Sequence, residues 1–208
     1  MIDLNNQILR LSYDEAEQEI AQLIRFGYQA VILTTPVLND EEGDLDEMIS
    51  KFNRLKVSFK QIQFFLGSEI HFHHTMIHRL EQGEVLSLAQ SSYVFVKLPD
   101  NKKPEQLNQL IHYWTDKTII LSCVEDYKYF SVDDLVDLKA KGVLFFANIN
   151  HLNTPKLKKL LKKRMIDFIG TYQDIKDYRN NKVFQKMNRD YYHQITRDNY
   201  RKIVQIDL

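Results

Sequence analysis

Seven short runs rich in branched and aromatic apolar residues recur along the chain, and longer stretches with apolar residues at helical spacing separate them. That alternation argues for parallel strands joined by crossover helices. The runs fall at residues 2–9, 30–34, 61–70, 93–98, 118–122, 143–147 and 166–170. After the first, Ser12 and Glu15 form a capping box, and Ala16, Ile20, Leu23 and Ile24 share one helical face up to Gly27. Further helices are predicted over 45–55, 75–82 and 104–113, from Ser131 to Gly142, and from the cap and first-turn pair Thr154-Pro155 onward. The remainder is helical and tyrosine-rich. No linker or low-complexity tract interrupts the pattern, so one domain over 1–208 is expected. An eight-stranded barrel would lack a strand. A doubly wound open sheet is the physical alternative, although no Gly-x-Gly-x-x-Gly or Walker loop follows any strand.

Composition narrows the partners. Lys+Arg and Asp+Glu are equal at 28 each in 208 residues, which does not favour nucleic acid or an anionic membrane. One cysteine, Cys123, rules out an intrachain disulfide and suits a reducing compartment. No stretch reads as a secretion signal or a membrane span, so a cytoplasmic location is the expectation.

Asp3-Leu4-Asn5-Asn6-Gln7 stands in the frame of Asp-x-His-x-His, the opening strand of the polymerase-and-histidinol-phosphatase (PHP) metallohydrolases. Thr34-Thr35-Pro36, Leu66-Gly67-Ser68-Glu69-Ile70, the segment 80–88 and Phe168-Ile169-Gly170-Thr171 follow in family order. Over nearly its whole length the chain resembles the manganese-dependent tyrosine phosphatases of Gram-positive capsule and exopolysaccharide operons. The resemblance implies a distorted seven-stranded parallel (β/α)7 barrel of PHP type, TIM-like, with its site at the carboxyl ends of the strands. It also implies Mn²⁺ as cofactor if the site is functional.

Position by position, the resemblance gives a substituted site. Asn5 and Gln7 stand at two histidine positions, and Val37-Leu38 replaces the histidine pair after strand two. Glu69 is kept as the bridging carboxylate. Cys123-Val124-Glu125-Asp126 replaces His-Pro-Glu-Arg, losing a ligand and a phosphate-pairing arginine, and Thr171-Tyr172-Gln173-Asp174 replaces Ser-Asp-Ala-His. Carboxamides bind divalent metals weakly and without charge. The vestigial site is therefore Asp3, Asn5, Gln7, Glu69, Cys123, Glu125, Tyr172 and Asp174. Glu69, His71 and His73 alternate toward one side of a strand; a solvated polar loop is the leading reading there, and a residual metal site with Glu69, His71, His73 and Asp174 as candidate ligands is the alternative.

Other motifs reduce to packing. A cysteine-phosphatase loop, Cys-x5-Arg, would need an arginine at Tyr129, so Cys123 reads as a buried strand-end thiol. His112, His151 and His193 are isolated in sequence. Leu157, Leu160 and Leu161 face the core and leave the lysines of 156–164 as a solvated side. Val183, Phe184 and Met187 read as packing positions of helices that cover the barrel. The expectation is a pseudoenzyme: a non-catalytic regulatory or binding module of capsular or exopolysaccharide synthesis. No cofactor is expected, and the partner is a tyrosine kinase or its phosphotyrosine segment, with homo-oligomerisation open. The alternative is an active metal-dependent phosphotyrosine-protein phosphatase with a reduced or rearranged metal site.

Overall fold

The computed structural model describes residues 1–5, 7–37, 45–73, 76, 78, 82, 85–172, 175, 177 and 181–205. Seven strands are present: β1 (Ile2–Asn5), β2 (Ala30–Val37), β3 (Gln63–His71), β4 (Tyr93–Lys97), β5 (Thr118–Leu121), β6 (Leu144–Asn148) and β7 (Phe168–Gly170). They lie side by side in chain order, and every neighbouring pair is parallel. The two outer strands approach each other: Tyr172 N–H donates to the Leu4 carbonyl at 3.2 Å, and Asn5 forms an isolated parallel bridge with Tyr172. The sheet is thus a nearly closed barrel, not the open doubly wound alternative.

Helices α1 (Tyr13–Arg25), α2 (Leu45–Ser58), α3 (Leu107–Tyr113), α4 (Val132–Ala140) and α5 (Pro155–Lys162) follow β1, β2, β4, β5 and β6 respectively. The expected caps are in place. Ser12 with Glu15 and Ser131 with Asp134 form reciprocal capping boxes, and the Thr154 hydroxyl accepts from Leu157 N–H at 3.4 Å. The helix expected over 75–82 lies mostly outside the described residues. Instead of starting at Pro104, α3 begins at Leu107 with no side-chain cap.

One strand ends earlier than its apolar run suggests. The Asn5 carboxamide oxygen accepts the N–H groups of Gln7 at 2.9 Å and Ile8 at 3.1 Å, which turns the chain out of β1 and into a short 3-10 helix, Ile8–Arg10. Asparagine competes with the strand ladder for its own backbone in this way. Gln7 therefore lies in a turn and does not share a strand face with Asn5.

Two apolar layers enclose the strands. Ile2, Leu4, Ile32, Phe95, Ile120 and Phe146 come from five different strands and pack into one buried interior cluster. The C-terminal helical run consists of α6 (Lys182–Gln185), α7 (Arg189–His193), a π-helical turn at Gln194–Asp198 and α8 (Asn199–Val204). Through Tyr200, Ile203 and Val204 it enters that same interior cluster. On the outer side Val31, Leu33 and Phe64 pack against Ala16, Ile20 and Leu23 of α1 and Leu55 of α2. As expected, Leu157, Leu160, Leu161 and Phe184 are buried.

Candidate functional site

Buried polar side chains gather where the strands end: Asp3 and Asn5 on β1, Thr34 and Thr35 on β2, Ser68 and Glu69 on β3. At the end of β6 and just beyond β5 and β7 the same rim carries Asn148, Ser122, Glu125 and Thr171. Polar groups withdrawn from water need partners, and here most find one another.

At the seam between β1 and β7, Thr171 donates its N–H to Asp3 Oδ1 at 2.7 Å and its hydroxyl to Asp3 Oδ2 at 2.6 Å. Asn5 Nδ2 donates to the same hydroxyl oxygen at 3.2 Å. Burial pushes the Asp3 carboxyl from 3.8 up to about 6 despite these donors. Gly170 makes the arrangement possible, because a Cβ there would lie 2.9 Å from Asp3 Oδ1 and 3.1 Å from the Tyr200 hydroxyl.

Across the mouth, the Tyr172 hydroxyl donates to Glu69 Oε1 at 2.7 Å, joining the end of β7 to β3. Burial foremost, and the Glu69 charge second, hold the phenol far above its usual range, so Tyr172 is a neutral donor. Tyr172 reaches this position with φ of +62°, a left-handed conformation that costs a non-glycine residue about 1–2 kcal/mol. His71 Nε2 stands 3.6 Å from the second Glu69 oxygen, Oε2.

A second group lies beyond β5 and β6. Cys123 is buried with φ of +47° in the turn after β5. Its sulfur lies within 4.8 Å of a carboxylate oxygen of Glu125 and one of Asp126, and those two lie equally close to each other. Glu125 Oε1 accepts Asn148 N–H at 2.8 Å and faces His151 Nδ1 at 3.2 Å, while Asp126 Oδ1 is 3.1 Å from the same nitrogen. Burial raises both the Glu125 carboxyl and the Cys123 thiol, and for the thiol the neighbouring Glu125 charge adds to it. The Glu125 hydrogen bond raises His151.

Measured against the expected residues, Asp3, Asn5, Glu69 and Tyr172 meet at the mouth. Gln7 stands apart in its turn. His71 accompanies Glu69, but His73 lies past the end of β3, where its N–H donates to Met76 Sδ at 3.4 Å. Among the described residues Glu69, His71 and His73 do not form a three-ligand cluster; the group that does is Cys123, Glu125 and Asp126. Asp174 lies outside the described residues. His151, isolated in the sequence, is in fact the partner of two acids. Its one sequence signal is position, since it follows β6 at the carboxyl end where barrel sites assemble.

A family model described as capsular polysaccharide synthesis, CpsB/CapC, matches residues 6–205. The chain belongs to this family. No curated protein matches it. Among solved structures, one from the work on YwqE of Bacillus subtilis and CpsB of Streptococcus pneumoniae, described as unique metal-dependent tyrosine phosphatases, is similar with a TM-score of 0.84. The identity is 16%, covering 99% of this chain and 94% of that one. An inactive dihydroorotase-like domain of a Chaetomium thermophilum CAD-like multifunctional protein follows at TM-score 0.62 and 12% identity, covering 100% and 79%. An amidohydrolase from Mycoplasma synoviae has TM-score 0.63 and 10% identity, covering 98% and 87%. At these identities the structural likenesses carry the barrel alone. No helix among the described residues is long and apolar enough to cross a membrane.

Proposed function

We propose that this member of the CpsB/CapC family is a non-catalytic binding or regulatory module of capsular polysaccharide synthesis, descended from a metal-dependent tyrosine phosphatase. The observation that carries the reading is the Tyr172–Glu69 hydrogen bond across the mouth. A divalent-metal cluster needs ionised, converging, unoccupied donors. At this mouth one Glu69 oxygen is taken by a phenol, both Asp3 oxygens are taken by Thr171, and the Asn5 oxygen is committed to the turn after β1. Such a donor set does not fit the cluster that the family resemblance implies. The partner most consistent with family context is a tyrosine kinase of the same system, or its phosphotyrosine segment.

The assay is direct. Chelator-stripped protein, reloaded with Mn²⁺ and given a phosphotyrosine peptide, is expected to release no phosphate above a protein-free control. It is expected instead to bind such a peptide, or the kinase, in a fluorescence anisotropy titration. Mn²⁺-dependent turnover that disappears in Glu69→Gln would overturn the reading. It would establish the second one, a phosphatase on a reduced metal set, which the His71–Glu69 approach of 3.6 Å favours.

A further inference from the structure

We infer that Cys123, Glu125, Asp126 and His151 form a single-ion site for a Zn²⁺-class cation, displaced from the Asp3–Glu69 mouth toward the β5–β6 edge. The inference goes beyond the proposed function and does not rest on it. Three observations converge.

The first is the donor set. One sulfur, one imidazole nitrogen and two carboxylates are the mixture that tetrahedral zinc takes, and the thiolate and imidazole set it apart from an all-oxygen Mg²⁺ or Ca²⁺ site. The second is proximity. The Cys123, Glu125 and Asp126 donor atoms lie within 4.8 Å of one another, and His151 Nδ1 is 3.2 Å and 3.1 Å from the two acids. Donors around zinc stand about 3.3–3.8 Å apart, so the group needs to close by about 1 Å. Asp126 and His151, whose side chains are each 37% exposed, have the freedom to do so and leave an entry path.

The third observation separates this group from an ordinary cluster of acids. The Glu125 side chain is 1% exposed, and its Oε2 has no hydrogen-bond partner. A buried carboxylate oxygen left bare is costly, and a bound cation would satisfy it. His151 as a simple counter-ion does not, because its nitrogen faces Oε1. Nor do the nearby lysines hydrogen-bond it: Lys156 donates to the Tyr127 carbonyl and Lys97 pairs with Asp100 at 3.5 Å, and the Lys156 charge acts on Glu125 and Asp126 without a hydrogen bond to Oε2. Of the four donors, only Cys123 stands at a position where the family resemblance places a metal ligand.

The test is a Co²⁺ titration of chelator-stripped protein, followed by displacement with Zn²⁺ against a chromophoric chelator. One equivalent of Co²⁺ with a sulfur-to-cobalt charge-transfer band is expected, and Zn²⁺ should abolish that band. His151→Ala should weaken Zn²⁺ binding at least tenfold, Cys123→Ser should remove the band, and Glu69→Gln, whose lost charge only eases ionisation of the thiol, should keep the band and not weaken Zn²⁺ binding. His151 is partly exposed, so its variant reports on the site even if Cys123→Ser fails to fold. Absence of the band in protein whose circular dichroism is native would overturn the inference. Equal weakening by Glu69→Gln and His151→Ala would also overturn it, by placing the ion at the mouth. Phosphatase turnover with Mn²⁺ would remove the proposed function without touching this result.

Discussion

Asp3 shows how the mouth trades stability for a fixed arrangement. Its carboxylate has lost all contact with water, and the two donors of Thr171 with the Leu4 N–H compensate only in part, so its folded-state value stands at about 6 against 3.8. Between those values the folded chain holds a proton that the unfolded chain has released. Stability therefore falls as pH rises through about 4 to 6 and is flat in this contribution above it, the reverse of a salt-bridged carboxylate. Two units correspond to about 3 kcal/mol at most. Glu125 and Asp167 are shifted the same way, so wild type alone does not isolate the effect. The difference between wild type and Asp3→Asn does. Urea unfolding from pH 4 to 7 should show the variant losing less stability than wild type over that window. Parallel curves would mean that folding leaves the Asp3 carboxyl unshifted.

At the level of single elements, two glycines test different kinds of constraint. In β3, a Cβ on Gly67 would lie 2.7 Å from Leu88 Cδ2 and 3.1 Å from Leu88 Cα, because the turn at Leu88–Gln90 presses against the strand. Gly142, which ends α4, has φ of +85° with nothing within 4 Å of an added Cβ. Gly67→Ala should cost about 1–3 kcal/mol through overpacking, and Gly142→Ala about 1 kcal/mol through backbone strain alone. Urea midpoints should fall in that order, with unchanged slopes. Local rules of this kind were readable in the chain: the caps at Ser12, Ser131 and Thr154 and the buried leucines of α5 lie where spacing put them. The end of β1 was not, since an Asn5 side chain folding back on Gln7 and Ile8 leaves the apolar run through Leu9 intact. The site was legible only in part. The family resemblance marked Asp3, Glu69 and Cys123, but the His151–Glu125 contact joins residues 26 apart from different strand ends, and no periodicity encodes it.

Over the whole molecule, the interior joins both halves of the sequence. Ile2 and Leu4 of the first strand share one cluster with Tyr200, Ile203 and Val204 of the last helix, and the Tyr200 hydroxyl donates to the Ile169 carbonyl at 3.1 Å. The seam between β1 and β7 has little ladder of its own, a single bridge and the Tyr172–Leu4 hydrogen bond. Closure of the barrel thus depends on what fills it as much as on strand pairing. Tyr200 is the largest of the helix's contributions and is fully buried, its ring meeting Phe168 edge-on at 5.1 Å. Tyr200→Ala should cost about 3–5 kcal/mol, the range for a large aromatic removed from a packed core. Since the cavity would sit in the shared interior, helix and barrel should melt together. Far-ultraviolet circular dichroism and Trp114 fluorescence should therefore give coincident transitions in wild type and variant, both at lower urea in the variant. A variant whose helical signal fades first, while Trp114 keeps its native environment, would show the C-terminal helix to be an accessory to a barrel that closes without it.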